Sequence, residues 1–105
     1  MTLKYDIEID NAAIVANLKR ITNQIYRLLP VREEGTDWIN PLTTLMEEIA
    51  GISRLLIDQQ ELVFCLLSKL EGLFILTNDD DFFSYRRTIF ECLSIMNGLI
   101  KECQV

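Results

Sequence analysis

The chain has 105 residues, half of them apolar and a quarter charged, with a formal charge of −6 and no histidine. These figures fit one globular domain with a modest core of its own and not a chain that is disordered throughout. The acidic balance argues against nonspecific binding to nucleic acid or anionic membrane, and the missing imidazole removes Ser-His and Cys-His nucleophiles and histidine metal sites.

Residues 3–9 alternate, with Leu3, Tyr5, Ile7 and Ile9 on one side and Lys4, Asp6 and Glu8 on the other. A period of two fits a half-buried strand. No other stretch resembles its partner. Residues 1–10 are therefore expected to form a short strand or extended arm, set against a second subunit, a target or the helices. A helical or disordered extension is the competing reading. The first ten residues hold no apolar stretch of the kind a secretory leader needs.

Asp10 or Asn11 caps the first predicted helix. Ile14, Leu18, Ile21, Ile25 and Leu28 step by four and three along one seam, and Pro30 is expected to close it. Lys19, Arg20, Asn23 and Arg27 make the opposite face locally basic, a docking surface for an acidic partner or simply a solvated face. Residues 30–40, PVREEGTDWIN, form the longest predicted connection, with Gly35 suited to a turn. Trp38 lies there beside Glu33 and Glu34. Its ring is expected either to lid the end of the helices or to anchor a partner.

Asn40 and Pro41 look like the cap and first turn of a second helix. Its seam is Leu42, Leu45, Ile49, Ile52 and Leu56. Gly51 faces away from the seam, where it either leaves room for a close neighbour or is tolerated without purpose. Asp58 and Glu61 resemble a capping box for a third helix over 58–77. This helix is apolar around most of its circumference, with only Ser68, Lys69, Glu71 and Gly72 as a polar strip. Such a helix belongs at the centre of a bundle or in an interface. Its apolar run is too short and too interrupted to span a bilayer. The acidic turn Asn78 to Asp81 is expected to supply a cap, Asp80 or Asp81, for the last helix. That helix's seam is Phe82, Tyr85, Ile89, Leu93, Met96 and Ile100, with Arg87 and Glu91 as a surface pair.

The fold class is therefore all-α: a four-helix antiparallel bundle over 11–103, preceded by a short N-terminal strand or extended arm at 1–10. Cys65, Cys92 and Cys103 form no C-x-x-C pair, and Cys65 and Cys92 sit in apolar runs. They read as reduced core residues of a cytoplasmic protein. The seams leave Phe64, Ile75, Phe83 and Phe90 unaccounted for. These four are expected to mark a homodimer or partner interface.

No phosphate-binding loop, dinucleotide fingerprint or Glu-x-x-His pair is present, so no cofactor and no catalytic residue is expected. Paired carboxylates could serve an Mg²⁺-dependent hydrolase through Glu47, Glu48, Glu61 and Glu71, a weaker reading because only Glu47–Glu48 is close in sequence. The basic pairs Lys19–Arg20 and Arg86–Arg87 are too few for the footprint of a nucleic-acid binder.

The segments ITNQIYRLLPVREEGTDW, LLSKLEGL and YRRTIFECL resemble small uncharacterised helical proteins of Gram-positive bacterial phages and mobile elements. That resemblance implies a non-enzymatic protein that binds and modulates a host or phage protein. It also implies an alternative, an acidic imitation of nucleic acid that inhibits a nuclease or CRISPR effector, using Glu33, Glu34, Asp37, Glu47 and Glu48.

Overall fold

The computed structural model describes the backbone of residues 2–103 and the side chains of residues 12–103. Four helices follow one another: α1 (Thr2–Glu33), α2 (Ile39–Ile52), α3 (Gln60–Gly72) and α4 (Phe82–Cys103). They form an antiparallel bundle. α1 packs on α2, α2 on α3, α3 on α4 and α4 back on α1, with the two long helices α1 and α4 sharing the most extensive interface.

The backbone of 3–9 belongs to α1, and no strand occurs among the described residues. A lone strand would leave its peptide groups unpaired, whereas a helix satisfies them within the segment. The row formed by Leu3, Tyr5, Ile7 and Ile9 consists of side chains outside the described residues.

Pro30 does not end α1, which continues to Glu33. Proline denies a hydrogen bond only to the carbonyl four residues back, that of Tyr26. Tyr26 and Pro30 both lie on the solvent side, where water can serve that carbonyl. The stop comes at Gly35, whose φ of 76° is left-handed. The Thr36 N–H donates to the Val31 carbonyl at 3.1 Å and the Gly35 N–H to the Arg32 carbonyl at 3.1 Å. This pair of bonds is the Schellman closure, and it shortens the expected 30–40 connection to a few residues.

Asp37, not Asn40, opens α2. Its carboxylate accepts the Ile39 N–H at 3.0 Å and the Asn40 side-chain amide at 2.8 Å. Pro41 falls in the first turn, where a missing N–H costs no intrahelical bond.

The expected third helix over 58–77 is shorter, because single turns of 3-10 helix flank it at Ile57–Gln59 and Leu73–Ile75. Leu56 and Leu76 leave the helical region, with φ/ψ of −102°/58° and −96°/65°. Asp58 does not cap. The bend before α3 is held by Gln60, whose amide donates to the carbonyls of Ser53 at 2.8 Å and Leu56 at 2.9 Å. The buried Leu56 side chain turns inward at this corner. At the start of α4, Asp81 accepts the backbone N–H of Asn78 at 3.2 Å, while the Asp81 N–H donates to the Asn78 carbonyl at 2.9 Å.

The core is one cluster drawn from all four helices. It holds Ile14, Leu18, Ile21, Ile25, Leu28 and Leu29 of α1 and Leu42, Leu45 and Ile49 of α2. Val63, Leu66 and Leu70 of α3 join Tyr85, Ile89, Cys92, Met96 and Leu99 of α4. α3 is thus one corner of a four-membered ring and not its hub. Cys65, expected in the core, is exposed, while Cys92 is buried. Two ion pairs lace neighbouring corners: Arg20–Glu48 at 2.9 Å between α1 and α2, and Lys69–Glu91 at 3.1 Å between α3 and α4. Glu91 therefore serves Lys69 and not the expected Arg87.

Candidate interaction surfaces

The end of the bundle near Gly35 is built around Arg32. Its guanidinium donates to the carbonyls of Leu76 at 2.9 Å and Asn78 at 2.8 Å, tying the last turn of α1 to the α3–α4 connection. It also lies against three rings, 4.7 Å from the centroid of Tyr85, 5.4 Å from Phe82 and 5.9 Å from Trp38. Trp38 meets Tyr85 edge to face at 5.0 Å. Trp38 is half-buried and covers the core, so it takes the lid position of the two expected for it. Arg32 and Tyr85 complete this plug. Arg32 read as one charge in a polar turn, and nothing in its sequence neighbourhood marks it as the residue that joins two distant connections.

The four side chains left over by the seams are all exposed: Phe64 at 74%, Ile75 at 79%, Phe83 at 81% and Phe90 at 44%. They do not form one patch. At about 100° per residue, Phe64 points outward from α3, opposite Leu66 and Leu70, and Ile75 is exposed on the 3-10 turn that follows. Phe83 and Phe90 point outward from α4, turned away from the Lys69–Glu91 contact and toward the α1 side. The α3/α4 seam, with Cys65, Lys69, Glu91 and Ser94 along it, lies between the two pairs. The Arg86 guanidinium stacks 5.1 Å from the Phe90 ring. Tyr26, Ile39, Leu55 and Ile57 are further exposed apolar residues that the seams did not single out.

The carboxylates are scattered. Asp37 is occupied in the α2 cap and Glu48 in the pair with Arg20. Glu33 and Glu34 are exposed at the end of α1, and Glu47 is exposed on α2. Of Glu47, Glu48, Glu61 and Glu71, only Glu47 and Glu71 line one cleft, while Glu48 turns to Arg20 of α1. Among the described residues no three Asp, Glu, Cys or His side chains gather at a spacing that could hold a metal ion.

Charge and helix number are correlated. α1 and α4 carry Lys19, Arg27, Arg86, Arg87 and Lys101 against Glu33 and Glu102, none of them in an ion pair among the described residues. The α2–α3 half carries Glu47, Asp58, Glu61 and Glu71, likewise unpaired, against Arg54 as its unpaired cation among the described residues. Two surface clefts are comparable in size. One, of about 450 Å³, runs between α1 and α2 and is lined by Gln24, Arg27, Val31, Pro41 and Thr44. The other, of about 460 Å³, runs between α2 and α3 and is lined by Thr43, Met46, Glu47, Ala50, Leu67, Glu71 and Phe74.

Among the described residues no helix is long and apolar enough to cross a membrane. Comparison with family models, with curated proteins and with solved structures finds no match to this chain. The fold and surface define an all-α bundle with two exposed apolar patches of opposite electrostatic surroundings.

Proposed function

We propose that this chain is a non-enzymatic protein–protein interaction module that acts in the cytoplasm by binding and modulating another protein. The observation that carries the reading is the exposure of Phe64, Ile75, Phe83 and Phe90 on helices whose inner faces are already fully packed. Large rings at the centre of a surface are the residues that anchor interfaces, and contiguous exposed apolar patches mark docking sites. The resemblance to small phage and mobile-element proteins supplies the context, a host or phage protein as partner. The alternative role as an acidic nucleic-acid mimic has less support, because Asp37 and Glu48 are engaged within the fold.

Affinity capture from host lysate with the wild-type chain is expected to retain a protein that the Phe83→Glu/Phe90→Glu or the Phe64→Glu/Ile75→Glu variant loses. Far-UV circular dichroism of both variants should stay helical, since these side chains add nothing to the core. A capture profile identical for wild type and both variants would overturn the reading. Loss of helicity in a variant would place its residues in the core instead.

A further inference from the structure

We propose that the partner of the α2/α3 groove is a second copy of this chain, docked head to tail through the Phe83–Phe90 ridge of its α4. The inference rests on the reading of this chain as an interaction module and gives one of its patches an occupant. Symmetric pairing is disfavoured on both faces. Two α1/α4 faces would set Arg86, Arg87 and Lys19 against the same cluster of a second copy, and two α2/α3 faces would do the same with Glu47 and Glu71. One face against the other pairs opposite charges.

The shapes agree with the charges. On α4, Phe83 and Phe90 are seven residues apart, two helical turns or about 10.5 Å. Arg86 and Arg87 lie between them along the helix and flank the line of rings by roughly 50° on either side. On the α2 wall of the groove, the short side chains of Thr43 and Ala50 are also seven residues apart, with Glu47 between them. On the α3 wall, Glu71 stands beside Leu67 and Phe74. Two rings spaced by two turns thus meet two notches spaced by two turns, and an arginine on each side meets a glutamate on each wall. Phe64 and Ile75 extend the apolar rim beyond α3. Ridge and groove lie on opposite sides of the bundle, so a pair cannot close on itself. Each added copy leaves one ridge and one groove open, which gives a growing chain or a ring.

Sedimentation velocity across the micromolar range tests this. The mass of the wild-type chain is expected to rise with concentration past that of a dimer. Arg86→Glu/Arg87→Glu reverses the ridge's charge and keeps the groove, while Glu47→Lys/Glu71→Lys reverses the groove's charge and keeps the ridge. Each is expected to be monomeric alone, and an equimolar mixture is expected to associate past a dimer again, because every ridge then meets a groove of opposite charge on the other variant. All four positions are exposed, and circular dichroism checks that each variant folds. Ala50→Trp, which fills one notch without altering charge, should also be monomeric; it should pair one to one with the ridge variant, whose groove is intact, and fail to pair with the groove variant. A wild-type chain that stays monomeric, or that stops at a dimer which both charge variants retain, overturns the proposal. A monomeric wild type leaves binding to a different protein standing, and the capture experiment decides that separately.

Discussion

The hydroxyl of Tyr85 is buried with no hydrogen-bond partner among the described residues, although the ring around it is packed by Trp38 and Arg32. An unpaired buried hydroxyl costs about 1–3 kcal/mol. Tyr85→Phe keeps the ring and removes that cost, so it is expected to raise the denaturation midpoint. A clear drop instead would mean that the hydroxyl makes a bond the fold needs. Tyr85 and Cys92 also link stability to pH. Burial pushes the Cys92 thiol up to about 12 and raises the Tyr85 hydroxyl as well, against a weaker opposing pull from Arg32. The unfolded chain releases a thiol proton near 8.5, while the folded chain keeps it, so the folded state binds more protons above that pH. Stability is therefore complete below about pH 8.5 and falls as pH rises toward 12. Urea titrations at several alkaline pH values should show this decline, and it should be shallower in Cys92→Ala/Tyr85→Phe. A thiol reagent at neutral pH should modify the exposed Cys65 rapidly and Cys92 only as the fold opens.

At the scale of the element, two glycines make opposite predictions. Gly51 lies in α2 with no atom within 4 Å of where a Cβ would stand, so the close neighbour its sequence position suggested is absent. Gly51→Ala should stabilise the protein by about 1 kcal/mol through helix propensity. Gly35 also has open space around it, but its φ of 76° makes any side chain strained. Gly35→Ala should cost about 1 kcal/mol or more. Paired chemical denaturation curves check both, and equal effects of the same sign would contradict the assignment of Gly35 as the left-handed stop of α1. The seams of α1, α2 and α4 were readable because a step of three and four residues has one geometric meaning, and Ile25, Leu42 and Ile89 are indeed buried. The ends were harder to read. Pro30, Asn40 and Asp58 carried familiar end signals, yet Gly35, Asp37 and Gln60 do the work. End signals compete over a few residues, and the winner depends on which carbonyls and N–H groups the neighbouring connection leaves open.

The whole molecule decides what a single apolar helix cannot. α3 carries more apolar residues than one face holds, and a place at the centre of the bundle or in an interface was the expectation. In the bundle it occupies a corner, with Val63, Leu66 and Leu70 inward and Phe64 outward. The four unburied residues were legible in sequence as a remainder, since they fit no seam. Their division into two patches was not, because it depends on which flank of α4 faces α3. Nor was the plug at the bundle end, where Arg32 reaches carbonyls 44 and 46 residues away. The sequence alone determined the helical class, the inward faces and four of the large side chains left outside, Phe64, Ile75, Phe83 and Phe90, since periodicity is a local property of the chain. Only the tertiary structure decided how charge is divided between the α1/α4 and α2/α3 sides. That division follows from which helices become neighbours, a property of the packed ring that no single segment contains.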